Sequence, residues 1–162
     1  MNRKLRVFGP LILWATLAGA AWAELAPDET LTAEELLAFQ RQHADFVLFD
    51  ARGKMEYEAA HIPGAVLPLS EDYYERRQLF MNHLIPIAPD REVALADTTK
   101  QYSKDHPIVT YCNRNCTASA ALLGELKKLG FTNVRSMEEG LQSWQEKGFP
   151  VKIGAPPLTS KE

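Results

Sequence analysis

Two cysteines, Cys112 and Cys116, are the residues of this sequence whose surroundings best suit chemistry. Cys112 directly follows the β-branched and aromatic run Ile108-Val109-Thr110-Tyr111, and a polar loop separates it from a helical pattern that begins near Ala118. A thiol between a strand end and a helix N-terminus meets backbone amides and the positive end of the helix dipole, which favour its ionised form. We therefore expect the pKa of Cys112 to lie below the value of about 8.5 for free cysteine, which would make it a nucleophile.

The loop after Cys112 indicates what such a nucleophile would attack. If the backbone from Asn113 to Thr117 curls around the sulfur, its amides point at the thiolate, and Arg114 adds a full positive charge at the rim. This setting suits an anionic donor, whose outer sulfur the thiolate attacks and then holds as a persulfide. The alternative is a buried, inert thiol, and the position of Cys112 in front of a helix weighs against it.

Cys116 lies about one helical turn after Cys112, and two roles for it remain open. It could release sulfur from a persulfide by forming a disulfide with Cys112, or it could fill space against the helix interior. A stapling disulfide is disfavoured because it would close a very short loop. Two cysteines without a nearby His or acidic partner do not complete a zinc shell, so we expect no metal and no cofactor.

The elements that must position this loop alternate between helix and strand. Helical patterns cover 32–42, 54–60, 71–84, 118–129 and 140–147, strand patterns cover 46–49, 65–67, 108–111 and 133–137, and 91–105 is ambiguous between a helical turn and a loop. Strands separated by helices need crossover connections, which predicts a three-layer α/β fold with a mainly parallel sheet and helices on both faces. In such sheets ligands bind beyond the carboxyl ends of the strands, where Cys112 is expected.

Four segments together resemble the rhodanese family from about Leu31 to Lys152. They are Phe46 to Arg52 with its Asp-x-Arg element, Glu56 to Ala65 with His-Ile-Pro-Gly-Ala, the strand Pro107 to Cys112, and Gly130 to Val151. The resemblance implies a sulfurtransferase that moves sulfane sulfur from thiosulfate or a related donor to a thiophilic acceptor. It also implies that Cys112, not Cys116, carries the sulfur, and that the remaining loop residues bind the donor: Asn113, Arg114, Asn115, Cys116 and Thr117.

The chain departs from the family pattern at two positions near this site. Asn115 replaces a usual glycine, and asparagine tolerates left-handed backbone better than most residues. Glu139 replaces the first glycine of a common pair, with little functional consequence expected.

Two other functions remain open. One is a non-catalytic module of the same fold that binds a partner or senses sulfur species, and the other is a thiol–disulfide protein that uses both cysteines. Phosphatases of related fold need an arginine at the position of Ala118, which sets that reading aside.

Several further residues have structural interpretations. We expect Asp50 and Arg52 to brace the site as a buried ion pair, His61 to pack in a turn, and Trp144 to lie in the core. The region 70–105 is longer than the resemblance implies. It could supply a lid or a partner surface beside the site, which in an acidic protein would be a local cationic patch, but a solvated helix face is the preferred interpretation. The residues concerned are Tyr73, Tyr74, Arg76, Arg77 and His83.

The N-terminal 23 residues predict export. Three cations precede an apolar stretch that ends in Ala21-Trp22-Ala23, which is typical of a secretory signal cleaved after Ala23. Cleavage removes three of 18 cations and none of 21 acids, so the mature chain has a net charge of −6. Such a surface repels nucleic acid. We expect a periplasmic or secreted domain over 31–152, without stable membrane insertion and with flexible ends at 24–30 and 153–162. Its expected partners are a small anionic donor and a thiol or protein acceptor.

Overall fold

A parallel sheet forms the centre of the molecule. The computed structural model describes residues 29–42 and 44–155, so the predicted signal segment lies outside the described residues. The strands of the sheet are β1 (Val47–Asp50), β2 (Ala65–Val66), β3 (Ile108–Tyr111) and β4 (Val134–Met137). They lie in the order β2-β1-β3-β4, and every pairing between them is parallel. All residues of β1, β3 and β4 are buried, as expected for parallel strands covered on both faces.

Helices cover both faces of this sheet, which confirms the three-layer α/β prediction. They are α1 (Ala33–Arg41), α2 (Lys54–Ala59), α3 (Glu71–Met81), α4 (Arg91–Thr99), α5 (Ala118–Lys128) and α6 (Gly140–Glu146). Alternate residues of β3 divide between two cores. Val109 and Tyr111 pack with Leu36 and Trp144 from α1 and α6, whereas Ile108 packs with residues of α4 and α5.

Local signals set several helix boundaries as predicted. Thr32 accepts from the amide of Glu35, and the carboxylate of Glu35 accepts from the amide of Thr32, which forms the expected capping box of α1. The ambiguous region resolves as α4, which begins where the carboxylate of Asp90 accepts from the amide of Val93. Its buried residue Leu95 anchors it to the core.

Helix α3 differs from its predicted form. It ends at Met81 rather than near residue 84, and the side chain of Met81 is 60% exposed. Tyr73 is the buried residue of this helix. Most apolar side chains of α3 and the loop after it remain in solvent, so periodicity alone did not reveal which one reaches the core.

Three residues outside the catalytic loop have structural roles. His61 is buried, its ring stacks on Tyr57 at 3.9 Å between centroids, and its Nδ1 lies 2.9 Å from the Tyr57 carbonyl. Trp144 is fully buried and donates to the carbonyl of Pro150, which confirms its core position. Glu139 accepts from the amide of Ala33 at 2.9 Å, so its carboxylate ties α6 to the start of α1.

Residues at both edges of the predicted domain make backbone contacts within the described residues. Thr30 forms a parallel bridge with Ser136, and the carbonyl of Glu29 accepts from the Ser136 amide at 2.7 Å, because β4 offers an open edge there. At the other end, the amide of Gly154 donates to the carbonyl of Glu58. No helix in the described ranges is long and apolar enough to cross a membrane.

Candidate active site

Cys112 lies at the carboxyl end of β3, as the sequence predicts. The neighbouring strand β1 ends at Asp50, which is paired in register with Tyr111, so the residues after both strands meet at one edge of the sheet. Cys112 itself is 1% exposed, and its carbonyl accepts from the amide of Leu141 at 2.8 Å. The sulfur therefore sits where parallel sheets bind ligands, but beneath the surface.

The loop from Cys112 to Thr117 closes into a tight turn. The amide of Cys116 donates to the carbonyl of Asn113 at 3.2 Å, and Asn115 has a φ of 59°. Asparagine is one of the few residues other than glycine that adopt this left-handed conformation readily. The replacement of the family's usual glycine is thus compatible with the loop turn.

The loop presents carbonyl oxygens to the sulfur, which differs from the expected cradle of amides. The thiol of Cys112 is within donating distance of the carbonyls of Asn113 at 3.3 Å and Cys116 at 3.2 Å, and its Sγ lies 3.5 Å from the hydroxyl of Ser119. Carbonyl oxygens accept a hydrogen bond from a thiol but repel a thiolate. The arrangement therefore favours the neutral thiol form of Cys112.

The expectation that the pKa of Cys112 is lowered is wrong for this arrangement. Burial raises the pKa of the Cys112 thiol, and its hydrogen bond to the Cys116 side chain raises it further, against smaller lowering contributions from the hydroxyl and amide of Ser119. The loss of hydration of a Cys112 thiolate outweighs the stabilisation that the hydroxyl and amide of Ser119 give it.

Cys116 shows the opposite behaviour. Burial acts to raise its pKa, but the hydrogen bond from Cys112 and the amides of Ala118 and Asn113 outweigh burial and lower it. The amide of Ala118 lies 3.4 Å from Sγ of Cys116, at the first residue of α5. The start of α5 thus favours an anion on Cys116, whereas the sequence predicted it on Cys112.

Arg114 is paired with a carboxylate outside the loop. Its guanidinium forms a two-pronged ion pair with the carboxylate of Glu146 on α6, with distances of 3.1 and 2.5 Å. Both side chains are exposed, so solvent screens the pair and it is easily broken. Arg114, the predicted rim cation, belongs to the loop, but Glu146 neutralises its charge in this structure.

The start of α6 presses directly on the loop. Gln142 accepts from the amide of Arg114 at 2.7 Å and donates from its Nε2 to the side-chain oxygen of Asn113 at 3.1 Å. Gly140 has a φ of 73°, and a Cβ there would lie 2.3 Å from the Arg114 nitrogen. Only glycine allows this approach, which explains why the second glycine position is retained while Glu139 is not restricted in the same way.

Sequence reasoning missed four side chains that contact the loop. Ser119 reaches the sulfur, Glu56 on α2 accepts from the Asn113 amide group at 3.1 Å, and Gln142 and Glu146 act from α6. Ser119 could have been found from its position in the first turn of the predicted helix after Cys112. The others come from elements distant in sequence and carried no local signal.

Behind the loop, Asp50 and Arg52 form the expected buried ion pair. The guanidinium of Arg52 donates to the carboxylate of Asp50 at 2.8 and 2.5 Å, and its side chain is only 5% exposed. The hydroxyl of Tyr111 also donates to Asp50 at 2.7 Å and accepts from the amide of Ile62. This network joins the last residues of both central strands, Asp50 and Tyr111, to Arg52 and so supports the base of the site.

A cavity of about 820 Å³ opens between α2 and α3, and its lining includes Glu56, which also accepts from the side chain of Asn113 in the loop. Tyr73, Tyr74 and Arg77 line it, whereas Arg76 and His83 are exposed and lie outside its lining. Lys54 pairs with Glu71 and Arg91 with Glu125, and three glutamates also line the walls. The cavity is therefore mixed in charge.

Acidic, cysteine and histidine side chains do not gather into a candidate metal site anywhere in the ranges that the structure describes. Cys112 and Cys116 are both free thiols.

Comparisons with known proteins identify a family match and structures of the same fold. A family model for the rhodanese-like domain matches residues 32–147. The chain is 30% identical over 131 residues to an HTH-type transcriptional regulator of Mycobacterium tuberculosis, covering 81% of this chain and 48% of that protein. It is 24% identical over 131 residues to SseB of the same species, whose name proposes a thiosulfate sulfurtransferase, covering 76% and 46%. The chain thus spans about half the length of these curated relatives.

Among solved structures, SseA from Escherichia coli superposes with a TM-score of 0.62 at 21% identity, covering 84% of this chain and 56% of that one. That structure is described as showing the rhodanese fold of 3-mercaptopyruvate sulfotransferases. At this identity the likeness concerns the fold.

Proposed function

The chain belongs to the rhodanese-like domain family, and from that premise we propose that it transfers sulfane sulfur from thiosulfate or a related donor to a thiophilic acceptor through Cys112. The observation that carries the proposal is the position of Cys112 at the carboxyl end of β3, at the head of a six-residue loop in front of α5. The relatives named for sulfur transfer support it at the family level.

Cys116, whose carbonyl oxygen lies 3.2 Å from Sγ of Cys112, is the neighbouring base that forms the nucleophile. The Cys116 thiolate takes the proton of Cys112, and the new Cys112 thiolate attacks the outer sulfur of thiosulfate. A bond forms between Sγ and that sulfur, the bond to the sulfonate sulfur breaks, and sulfite leaves with the electron pair. The products are a persulfide on Cys112, a thiol on Cys116 and sulfite, and total charge is conserved. The pKa directions of the two thiols support this assignment of the proton.

Donor binding needs positive potential that the resting loop does not offer. In the proposal, Arg114 leaves Glu146 and turns to the sulfonate, and the loop residues Asn113, Asn115, Cys116 and Thr117 reorient amides toward the anion. The exchange is inexpensive because an exposed ion pair contributes only about 0–1 kcal/mol. An acidic chain that takes an anionic donor depends on such a local rearrangement.

We also propose that the domain works outside the cytoplasm, on the basis of the predicted signal at 1–23. Export of the full chain from bacterial cells, followed by N-terminal sequencing of the processed protein, tests this. A mature N-terminus at Glu24 is expected, and an unprocessed chain retained in the cytoplasm would contradict it.

The decisive experiment is intact-mass measurement of the mature chain, Glu24 to Glu162, before and after addition of thiosulfate. We expect a gain of one sulfur atom that is absent in Cys112→Ser, and release of that sulfur as thiocyanate on addition of cyanide. If no mass is gained with thiosulfate or mercaptopyruvate and no thiocyanate forms, the proposal is overturned.

A second candidate is a non-catalytic module that binds a partner or senses sulfur species. The neutral, buried environment of Cys112 favours it, since a thiol faced by carbonyl oxygens reacts slowly. Under this alternative the purified domain gains no persulfide at a rate relevant to turnover. Partner capture that survives Cys112→Ser but is lost on replacing residues 73–83 would support it.

A further inference from the structure

The two thiols of the loop differ in exposure and in hydrogen-bond partners, which suits them to different steps of one reaction. Cys112 is 1% exposed, and its Sγ is in contact with the carbonyls of Asn113 and Cys116 and the hydroxyl of Ser119. Cys116 is only partly buried and lies at the start of α5, where its Sγ accepts from the amide of Ala118. One sulfur is enclosed and the other is open to partners.

We propose that Cys116 is a second sulfur carrier, which takes the sulfane sulfur from the persulfide of Cys112 and presents it to the acceptor. The inference rests on the proposed function, because it needs a persulfide on Cys112. It assigns to Cys116 an acceptor role that neither a spacer nor a disulfide-forming residue would have.

The loop places the two cysteines next to each other. Sγ of Cys112 lies 3.2 Å from the carbonyl oxygen of Cys116, so the persulfide and the residue that receives its outer sulfur are neighbours within one loop. The proton first passes from the Cys116 thiol to the persulfide of Cys112. The Cys116 thiolate then attacks the outer sulfur, a new sulfur–sulfur bond forms on Cys116, and Cys112 leaves as the thiolate. One anion and one proton are present before and after, and no oxidant or reductant is consumed.

The enclosure of Sγ of Cys112 favours attack on the outer sulfur over attack on the inner one. An attack on the inner sulfur would expel hydrosulfide and leave a disulfide between Cys112 and Cys116, which an external thiol would have to reduce. The carbonyls and the Ser119 hydroxyl shield the inner sulfur, whereas the outer sulfur lies one bond of about 2 Å further out. Transfer therefore leaves the domain ready for another cycle.

The sequence permits a sharp test. Trypsin cleaves after Lys104, Arg114 and Lys127, so Cys112 and Cys116 fall on separate peptides, 105–114 and 115–127. The mature chain is mixed with thiosulfate, and the reaction is quenched with iodoacetamide at successive times. The protein is then digested with trypsin, and the peptide masses are measured by mass spectrometry. We expect the added sulfur on 105–114 first and then on 115–127, no added sulfur on either peptide in Cys112→Ser, and sulfur confined to 105–114 in Cys116→Ser.

Acceptor size supplies the second readout. Cyanide is small enough to reach the enclosed persulfide, but glutathione is not, so Cys116→Ser should slow transfer to glutathione about tenfold more than transfer to cyanide. Cys116→Ala serves as a second variant, and circular dichroism checks that both fold. Equal slowing with the two acceptors would argue against the relay.

The outcomes separate the two proposals. Sulfur on 105–114 that never reaches 115–127 overturns the relay and leaves the proposed function intact. A linked pair of peptides that has lost two hydrogens, with hydrosulfide released, also overturns the relay, since the inner sulfur was attacked. Absence of added sulfur on both peptides overturns the proposed function itself.

Discussion

The side-chain oxygen of Gln142 accepts a hydrogen bond of 2.7 Å from the amide of Arg114, 28 residues earlier in the chain. Through its Nε2, Gln142 also holds the side chain of Asn113. Two bonds from one side chain thus hold the first half of the cysteine loop against α6. The position of the loop depends on this helix as much as on β3.

Gln142→Leu should therefore loosen the loop more than the fold. Each lost hydrogen bond is worth about 1 kcal/mol, so we expect persulfide formation on Cys112 to slow by roughly tenfold, with a small change in the free energy of unfolding. Stopped-flow mass measurement of sulfur loading checks this. Gln145→Leu, on the exposed side of the same helix, is the matched control and should load normally.

Gly140→Ala should destabilise the protein. Its Cβ would lie 2.3 Å from the nitrogen of Arg114, and the backbone φ of 73° strains any L side chain. Crowding and strain together should cost at least about 2 kcal/mol, measured by urea denaturation. Gly124→Ala is the control, because nothing lies within 4 Å of a Cβ there; on α5 it should increase stability by about 0.5–1 kcal/mol. Similar effects of the two changes would contradict the close approach of α6.

Arg52→Ala should lower the free energy of unfolding by about 3–5 kcal/mol, because it leaves the fully buried carboxylate of Asp50 without its cation. Lys100→Ala removes the cation of an exposed pair with Asp97 and should cost less than about 1 kcal/mol. Chemical denaturation of both variants gives the comparison. A loss below 1 kcal/mol for Arg52→Ala would show that Tyr111 alone can satisfy Asp50.

The two cysteines should be alkylated in a defined order as pH rises. The pKa of Cys116 is lowered and that of Cys112 is raised, so at any pH between their pKa values Cys116 is the more ionised and reacts faster. Iodoacetamide labelling from pH 6 to 10, read on the separate tryptic peptides, should modify 115–127 first. Prior labelling of 105–114 would reverse the assignment of the resting anion.

Glu146→Gln should improve donor binding by releasing Arg114. The freed guanidinium gives the loop an uncompensated positive charge, which should lower the KM for thiosulfate by up to about fivefold at low ionic strength and less in high salt. Arg114→Gln should raise KM instead. Steady-state thiocyanate formation measures both, and if the two variants shift KM in the same direction, Arg114 does not meet the donor.

Much of the fold and part of the site could be derived from local sequence. The buried strand before Asp50, the capping box at Thr32 and the strand that delivers Cys112 depend on neighbouring residues and short periodicities. The ion pair of Asp50 and Arg52 joins residues two positions apart. Asn115 indicated a left-handed turn because few other residues adopt one.

Tertiary packing decided the chemistry of the loop. Gln142 and Glu146 reach it across 28 to 32 residues, and nothing near Arg114 in the chain indicates that its charge is neutralised. The pKa directions of Cys112 and Cys116 follow from burial and from carbonyl orientation, which depend on how deeply β3 and α5 enclose each sulfur. Local propensity positions a thiol at a strand end, but its solvation and partners come from elements distant in the chain, because desolvation is a property of the packed molecule.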